Sequence, residues 1–301
     1  MSWNDRLKQE NVKSIQALIQ KHKGVRAAAR ALGVCHGRIQ EQLLKEQATS
    51  LTSRKRVFYF TDTHLDEHLE TDHLVWIGKW IKDGKPDYVV HGGDLINIDS
   101  ISTHNEFHSL EGQQKPKLLR DFEAMERGME LINQHSGGVQ VHVTLGNHEV
   151  RIWDYENRRP EMQGFVSTRF DDIFKRCGWT YSPYGQYYKL HGVDFVHAPL
   201  PTQRQPMGGK NVVNNVANGS VDDVVFGHTH RMATTTMVKL GNDVSVTVIN
   251  AGCTMPLGYI PKYIGNGATG WWHGVVELVI DCGKIVSYNM VDLHSLKERY
   301  K

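Results

Sequence analysis

The chain has 301 residues, of which 40% are hydrophobic and 23% are charged, and its formal net charge at neutral pH is +2. This composition is ordinary for a soluble globular protein that buries a sizeable core, and the length allows one large domain plus a small one. No apolar run approaches the ~20 residues that a membrane span needs, which excludes a membrane-embedded protein.

The N-terminus and the cysteines indicate a cytoplasmic protein. Residues 1–6 lack the apolar core of a secretory signal. The cysteines are scattered and form no C-x-x-C pair, which fits a reducing interior and disfavours a cysteine metal site. They are Cys35, Cys177, Cys253 and Cys282.

Charge is distributed unevenly along the chain. Residues 1–56 contain twelve Lys or Arg and four Asp or Glu, a balance of +8. The other 245 residues contain 23 and 29, a balance of −6. This asymmetry is typical of a basic appendage that meets a polyanion, attached to a mildly acidic enzyme body.

Residues 1–50 are predicted to form a small, basic, all-helical domain. Apolar residues recur at helical spacing in three runs, over 12–19, 25–32 and 35–45, which Gly24 and Gly33 separate. The A-A-x-A-L-G-V pattern resembles the helix-turn-helix domains of DNA-binding regulators. On that interpretation the side chains that contact nucleic acid are Arg26, Arg30, Arg38 and Gln40, with His36 and Gln42 close by. The alternative is a protein-interaction or dimerisation cap whose basic residues form a solvated face.

Five short stretches between residues 60 and 231 carry side chains of metal-binding type, and four of them follow an apolar run that predicts a buried strand. They are Thr61-Asp62-Thr63-His64, Gly92-Gly93-Asp94-Leu95-Ile96-Asn97, Gly146-Asn147-His148-Glu149, the isolated His197, and Gly227-His228-Thr229-His230. In an α/β sheet, ligands gather outside the carboxyl ends of the strands. The spacing therefore predicts one metal site assembled from distant strand ends.

Two of these stretches carry metal-binding side chains at positions i and i+2. On extended backbone such side chains point the same way, so Asp62 and His64 are expected to hold one ion together. His228 and His230 are expected to lie on the same side in the same manner. Asn97 is expected to order its loop, and Glu149 to fix backbone or to orient His148.

The order D-x-H, G-G-D-x-x-N, G-N-H-E, a lone His and G-H-x-H resembles the calcineurin-like metallophosphoesterase superfamily over roughly residues 56–290. The resemblance implies an α/β fold, a four-layer α/β/β/α sandwich of two mixed sheets, over residues 51–301. It implies two divalent metal ions that share Asp94. The first would be held by Asp62, His64, Asp94 and His230, and the second by Asp94, Asn147, His197 and His228.

The same resemblance implies the chemistry. A metal-bridging hydroxide attacks phosphorus in line, and the catalytic residues are the bridging Asp94 and His148, which protonates the leaving oxygen. The ligand types favour Mn²⁺, with Fe or Zn²⁺ as alternatives. Phosphoprotein phosphatases of the superfamily carry Asp-Arg-Gly after the second motif, where this chain has Ile98-Asp99-Ser100, which argues against that class.

Together with the basic N-terminal domain, these features predict a phosphodiesterase that acts on nucleic acid, a nuclease. The alternatives are a phosphomonoesterase or a cyclic-nucleotide phosphodiesterase that uses the N-terminal domain only for targeting, and a silent binding protein that uses the metals as a clamp. Substrate contacts are predicted from the arginines after Glu149, which alternate with aromatic residues. These are Arg151, Arg158 and Arg159. A solvated helix that carries arginines is the alternative.

Three segments complete the predicted organisation. Residues 150–185 are interpreted as an inserted helical cap. The Gly- and aromatic-rich segment 255–273 is interpreted either as lining of the cleft or as core-packing tryptophans under a turn. The alternating segments 244–250, 274–280 and 284–290 are predicted to form a second, largely antiparallel sheet.

Overall fold

A computed structural model describes residues 3–12, 14–51, 54–103, 113, 115, 117–201, 205–241, 244–261 and 270–301. The chain divides into two compact units. One comprises Met1–Arg54 with Asp281–Gly283, and the other comprises Lys55–Ile280 with Lys284–Lys301. The first is the helical unit, and the second is the catalytic body.

In the described part of the helical unit, four helices surround a small apolar core. They are α1 (Trp3–Gln9), α2 (Ile15–Lys21), α3 (Val25–Ala31) and α4 (His36–Leu51). Ser14 caps α2 because its hydroxyl accepts a hydrogen bond from the Ala17 amide. Gly33, with φ +64°, makes the turn between α3 and α4. The core consists of Leu7, Ile15, Leu18, Ala28, Ala29 and Ile39.

Eleven strands among the described residues form the two sheets of the catalytic body. They are β1 (Lys55–Phe60), β2 (Tyr88–His91), β3 (Val141–Thr144), β4 (Thr180–Ser182), β5 (Tyr188–Leu190), β6 (Val193–Phe195), β7 (Val224–Phe226), β8 (Met232–Val238), β9 (Ser245–Ala251), β10 (Gly274–Asp281) and β11 (Lys284–Asp292). The first sheet has the order β11-β10-β1-β2-β3-β4, and the second has the order β5-β6-β7-β9-β8.

Both sheets are mixed. In the first, β1 pairs in parallel with β2, β2 with β3, and β3 with β4, whereas β10 pairs antiparallel with β1. In the second, β6-β7 and β7-β9 are parallel, whereas β5-β6 and β8-β9 are antiparallel. The parallel strands end at one edge, which places the loops that follow them side by side.

The predicted antiparallel sheet of segments 244–250, 274–280 and 284–290 is wrong. Only the first of these segments, as β9, belongs to the second sheet, whereas β10 and β11 extend the first sheet beyond β1. Alternation of apolar residues reveals that a segment is a strand, but it carries no information about which strand it pairs with.

The helices lie outside the sheets and complete four layers. They are α5 (Asp72–Gly84), α6 (Leu118–Ser136), α7 (Arg151–Arg158), α8 (Phe165–Cys177), α9 (Val212–Gly219) and α10 (Leu293–Tyr300). One apolar core joins α5, α6, α8 and α10 to the first sheet, a second fills the space between the sheets, and a third joins α9 to the second sheet. The predicted α/β/β/α sandwich is confirmed. Among the described residues, no helix has both the length and the apolarity to cross a membrane.

The segment 150–185, interpreted from sequence as an inserted cap, is built into the body instead. Strand β4, at its C-terminal end, pairs in parallel with β3. Phe170 and Phe174 of α8 are buried in the core that also contains Phe122 of α6. The segment is therefore the crossover that connects two parallel strands, and its arginine-rich start at α7 directly follows the Gly146-Asn147-His148-Glu149 loop.

Candidate metal centre

The side chains predicted from the strand-end motifs meet in one cluster. It comprises Asp62 and His64 after β1, Asp94 after β2, Asn147 and His148 after β3, His197 after β6, and His228 and His230 after β7. Asn147 and His228 are half-buried, and the others are buried. Side chains far apart in sequence therefore form a single polar site at the carboxyl edge of the sheets.

At five of these eight residues the backbone is left-handed rather than extended. Their φ angles lie between +50° and +69°, and the residues are Asp62, His64, Asp94, His228 and His230. The expectation that each i, i+2 pair lies on extended backbone is therefore wrong. Left-handed backbone costs a non-glycine residue of order 1–3 kcal/mol, and such residues concentrate at functional sites. Here these residues follow strands β1, β2 and β7.

Asp62, His64 and His230 form a first group of candidate ligands. His230 Nε2 lies 3.1 Å from Asp62 Oδ1 and 3.2 Å from His64 Nε2. His64 Nε2 lies 4.0 Å from the same Asp62 oxygen. Two ring nitrogens and a carboxylate oxygen therefore surround one point, as the ligands of a metal ion do.

Asp94, His197 and His228 form a second group, which Asn147 extends. His197 Nε2 lies 3.3 Å from Asp94 Oδ2, 3.1 Å from Asn147 Oδ1 and 3.3 Å from His228 Nδ1. Asp94 Oδ2 is also 3.8 Å from His64 Nε2 of the first group. Asp94 therefore stands between the two groups.

His148 borders both groups and is held by a contact of its own. Its Nδ1 donates to the Asn97 carbonyl at 2.7 Å, and its Nε2 lies 4.0 Å from Asp94 Oδ2. It also forms a third candidate group with His64 and Asp94. The Nδ1 contact fixes the ring so that Nε2 faces the cluster.

Glu149 fixes the backbone, as expected, and does not point to the cluster as a ligand. Its carboxylate accepts hydrogen bonds from four backbone amides at 2.7–3.1 Å, those of Gly146, Asp94, Leu95 and Ile96. Burial, together with the charge of Asp94, raises its pKa to about 7, although the amides act in the opposite direction. This side chain ties the loop after β2 to the loop after β3.

Two motif glycines are required because a carboxylate oxygen occupies the space that their own Cβ atom would need. A Cβ at Gly146 would lie 2.0 Å from Asp94 Oδ1, and a Cβ at Gly227 would lie 2.1 Å from Asp62 Oδ2. Contacts this short do not occur in folded proteins. The glycines therefore allow the backbone to pass directly beside the candidate ligands.

The cluster keeps its carboxylates ionised although they are buried. Burial raises the pKa of Asp62, but the hydrogen bond and charge of His230 outweigh it and lower the pKa to about 2. Burial also opposes ionisation of Asp94, yet the positive fields of His197 and His148 hold its pKa well below the usual range.

The histidine pKa values diverge. Burial lowers the pKa of His197, but the charge and hydrogen bond of Asp94 raise it to about 9. Burial drives the pKa of His64 well below its usual range and lowers that of His148 to about 4. Ionised carboxylates beside imidazole nitrogens are the donor set of a borderline divalent cation, so the residues present fit the expected metal.

Around the cluster lies a polar network that the sequence did not predict. Asn97 Oδ1 is 3.3 Å from His64 Nδ1, and Asn97 Nδ2 donates to Asp99 Oδ2 at 2.8 Å. Arg151 Nη1 donates to Asp99 Oδ1 at 3.3 Å and to the Asn97 carbonyl at 2.9 Å, and Nη2 lies 3.3 Å from His148 Nε2. The expected loop-ordering role of Asn97 agrees with these contacts, whereas no spacing rule points to Asp99.

The predicted substrate arginines separate into two environments. Arg151, in the first turn of α7, reaches the cluster through His148. Arg158 and Arg159 lie at the opposite end of the helix and are exposed, and the Arg159 guanidinium rests 4.4 Å from the centre of the Tyr155 ring. Only Arg151 is brought to the candidate ligands.

The aromatic segment 255–273 reaches the site at one tryptophan, and its residues 262–269 lie outside the described chain. The Trp271 ring lies 4.3 Å from the His230 ring, measured between ring centres. Trp272 is half-buried and occupies the space that a Cβ of Gly252 or Gly274 would need. Trp271 therefore borders the site, as the interpretation of this segment as lining of the cleft expects.

The residues predicted to contact nucleic acid all belong to the helical unit. They are exposed on α3 and α4: Arg26, Arg30, Arg38 and Gln40. Behind them, Ala28, Ala29 and Ile39 are buried. The two helices are joined by a short turn that contains Gly33.

Comparison with known proteins agrees with this geometry. A sequence model of the calcineurin-like phosphoesterase family matches residues 55–232. The Gene 54 protein of Mycobacterium phage L5 is 26% identical over 233 residues, which are 75% of this chain and 89% of the phage protein. The Gene 54 protein of Mycobacterium phage D29 is 24% identical over 234 residues, with the same coverage.

Solved structures give weaker likenesses. YfcE, a phosphoesterase from E. coli, is 14% identical with a TM-score of 0.37, over 79% of this chain and 100% of that one. Vps29 from Entamoeba histolytica, solved with Zn²⁺, is 13% identical with a TM-score of 0.33, over 79% of this chain and 99% of that one. These scores are too low to carry a functional argument. The family match covers more than half of the chain and includes every candidate ligand, and the chain therefore belongs to the calcineurin-like phosphoesterases and is a metal-dependent phosphoesterase.

Proposed function

We propose that this phosphoesterase is a phosphodiesterase that acts on nucleic acid, a nuclease, with two divalent metal ions, Mn²⁺ foremost. The observation that carries the proposal is the pairing of the buried Asp and His cluster with a basic, exposed α3–α4 face in the same chain. A polyanionic substrate accounts for both features.

The proposed metal ligands follow the two groups of side chains. Asp62, His64, Asp94 and His230 hold the first ion, and Asp94, Asn147, His197 and His228 hold the second. The short distances from His197 to Asp94 and Asn147, and from His230 to Asp62, support this division. Ions bound there lower the pKa of water and neutralise charge that develops on the phosphate during attack.

His148 is the proposed general acid. Its Nδ1 remains bonded to the Asn97 carbonyl, so Nε2 is the atom that gives its proton to the leaving oxygen as the P–O bond breaks. Burial lowers the pKa of His148 to about 4 in the free site. An anionic phosphate beside the ring stabilises the imidazolium and raises that pKa, so the acid form accumulates when substrate is bound.

Arg151 is the side chain that we propose binds the phosphate of the substrate alongside the metals. Its guanidinium already lies 3.3 Å from His148 Nε2, with a side chain that is only 13% exposed. A planar, permanently charged donor in this position suits the non-bridging oxygens of a phosphate. Arg158 and Arg159, which point to solvent, are proposed only as contacts to a longer substrate.

The helical unit is the proposed nucleic-acid-binding element. The basic side chains Arg26, Arg30 and Arg38 suit the phosphate backbone, and Gln40 on α4 suits a base edge. Binding that rests on phosphate contacts weakens steeply as salt concentration rises.

One assay tests the proposal. The purified full chain with Mn²⁺ is incubated with labelled single- and double-stranded DNA, RNA, bis-p-nitrophenyl phosphate and p-nitrophenyl phosphate. We expect turnover of the diester and of at least one nucleic acid. Turnover of the monoester without the diester would defeat the nuclease proposal in favour of a phosphomonoesterase.

Variants assign that activity to the site. His148→Ala is expected to reduce kcat on the diester by roughly a hundredfold, the size of a lost general acid. His294→Ala, which changes an exposed histidine of α10, is the matched control and is expected to leave kcat within twofold. Equal rates in the two variants would remove the acid role of His148.

A further inference from the structure

Asp99 is a carboxylate beside the candidate metal centre that belongs to none of the candidate ligand groups within the described residues. Both of its oxygens are engaged. Oδ2 accepts from Asn97 Nδ2 at 2.8 Å, and Oδ1 accepts from Arg151 Nη1 at 3.3 Å. Its side chain is 36% exposed, more than that of its partner Arg151. The carboxylate is therefore fixed at the open side of the site.

Through Arg151, Asp99 is one contact away from the proposed position of the phosphate. The same guanidinium that Asp99 holds through Nη1 lies against His148 Nε2 through Nη2. The Asn97 carbonyl accepts from both His148 and Arg151, so the arginine and the histidine are fixed relative to each other. The Asp99 carboxylate thus completes a rigid frame in which Arg151 faces the reaction site.

This frame places a negative charge beside the guanidinium of Arg151. Arg151 attracts a phosphate, and Asp99 cancels part of that attraction. Asp66 and Asp121 add negative charge nearby, and Lys115 adds positive charge. A phosphodiester carries one negative charge, whereas a phosphomonoester carries nearly two at neutral pH. A carboxylate in this position therefore disfavours the monoester more than the diester.

We propose that Asp99 is a specificity-determining residue that, through its contact with Arg151, favours singly charged phosphodiesters over doubly charged phosphomonoesters. The inference rests on the proposed function, because it assigns the choice of substrate charge at that same site. Asp99 acts as a positioning residue for Arg151 and as a fixed charge, and it contacts no reacting atom.

Binding of a matched pair of stable analogues tests the inference without turnover. Phenylphosphonate carries two negative charges at mildly alkaline pH, and its monomethyl ester carries one. Calorimetric titration of each into the Mn²⁺-loaded full chain compares wild type with Asp99→Asn. The variant is expected to bind phenylphosphonate about fivefold more tightly and the methyl ester only about twofold more tightly, because the removed charge repels a doubly charged ligand twice as strongly as a singly charged one.

Turnover provides the second measurement. The ratio of kcat/KM for bis-p-nitrophenyl phosphate to that for p-nitrophenyl phosphate is expected to fall about twofold in Asp99→Asn. Asp99→Glu, which restores the charge, is expected to recover most of the ratio. Asp154→Asn removes an exposed carboxylate of α7 outside the network and is expected to leave the ratio unchanged.

The outcomes separate the inference from the proposed function. Equal changes for both analogues in Asp99→Asn, or no change for either, would overturn the charge selection and leave Asp99 a structural residue. If wild type hydrolyses neither ester while the analogue affinities diverge as expected, the proposed function fails and the charge selection is supported. Thermal unfolding measures whether each variant is folded. If the Asp99→Asn protein does not fold, Asp99→Ser replaces it.

Discussion

The metal centre and the α3–α4 face of the helical unit hold their polar side chains in opposite environments. At the centre, Asp62, Asp94 and His197 are at most 2% exposed and each has a fixed partner. On the helical unit, Arg26 and Arg38 are exposed and stand above a small apolar core. Buried polar groups must be paired, so their contacts reveal what they can bind.

Exposed cations do not need a partner in the protein. Water solvates Arg26 and Arg38 in any orientation, so their positions are compatible with a nucleic acid, with a protein or with solvent alone. The contacts of the buried groups therefore indicate the chemistry of this enzyme. For its macromolecular substrate, the only indication from the exposed residues is their positive charge.

The largest effect is expected at the residue between the two ligand groups. Asp94→Asn retains the shape of the side chain but removes the charge that His197 and His148 face. We expect kcat on bis-p-nitrophenyl phosphate to fall roughly a thousandfold, because charge stabilisation at the reacting phosphate is lost. Asp72→Asn, an exposed change in the first turn of α5, is the control. Full activity of the Asp94 variant would contradict the bridging position.

Metal removal is expected to destabilise the catalytic body. A ligand present at a hundred times its Kd stabilises the native state by about 2.7 kcal/mol, which corresponds to a Tm shift of roughly 5–10 °C for a domain of this size. Calorimetry with and without a chelator measures the shift. In a variant that combines Asp62→Asn and Asp94→Asn, the chelator is expected to change Tm little, and an equal shift in both proteins would place the metal elsewhere.

A moderate effect on DNA binding is expected from the exposed arginines of the helical unit. Arg26→Ala with Arg38→Ala is expected to weaken binding of duplex DNA about tenfold and to reduce the slope of log affinity against log salt by about two. The control removes the same charge from other exposed positions of the unit, Lys8→Ala with Lys23→Ala. Equal losses in the two variants would replace a defined binding face with general attraction to a basic unit.

The smallest effect concerns His73, a buried histidine of α5 outside the metal centre. Burial lowers its pKa from 6.5 to about 3, and the charge of His273 adds to the effect. Because the folded pKa is depressed, stability is complete above the unfolded value and is lost as pH falls from about 6.5 toward about 3. Thermal unfolding against pH is expected to show a shallower decline in His73→Phe, and parallel curves would exclude His73 as a source.

Sequence alone located the metal centre because each candidate ligand follows a strand. Asp62, Asp94 and His228 could be brought together from the rule that parallel strands deliver ligands at their carboxyl ends. Their left-handed backbone could not be foreseen, since Asp and His adopt it only where tertiary contacts enforce it. The isolated His197 was predicted as a ligand in the same way, and the structure places it in the cluster with Asp94 and His228.

Contacts that depend on turn geometry were not predictable. Asp99 meets Arg151 because Ile98, with φ +50°, turns the chain after the second motif. Arg158 looked equivalent to Arg151 in sequence, yet seven residues of helix carry it to the opposite end of α7. The pairing of β10 and β11 with the first sheet could not be predicted either, because strands with this apolar pattern can join either sheet.

The two proposed metal-ligand sets are tested most directly by locating the metals in crystals grown with Mn²⁺, using anomalous diffraction at the manganese edge. We expect two peaks per chain. One lies among Asp62, His64 and His230, the other lies among Asn147, His197 and His228, and Asp94 contacts both. A single peak, or a peak coordinated by His148 Nε2, would contradict the two ligand sets and the acid role of His148 together.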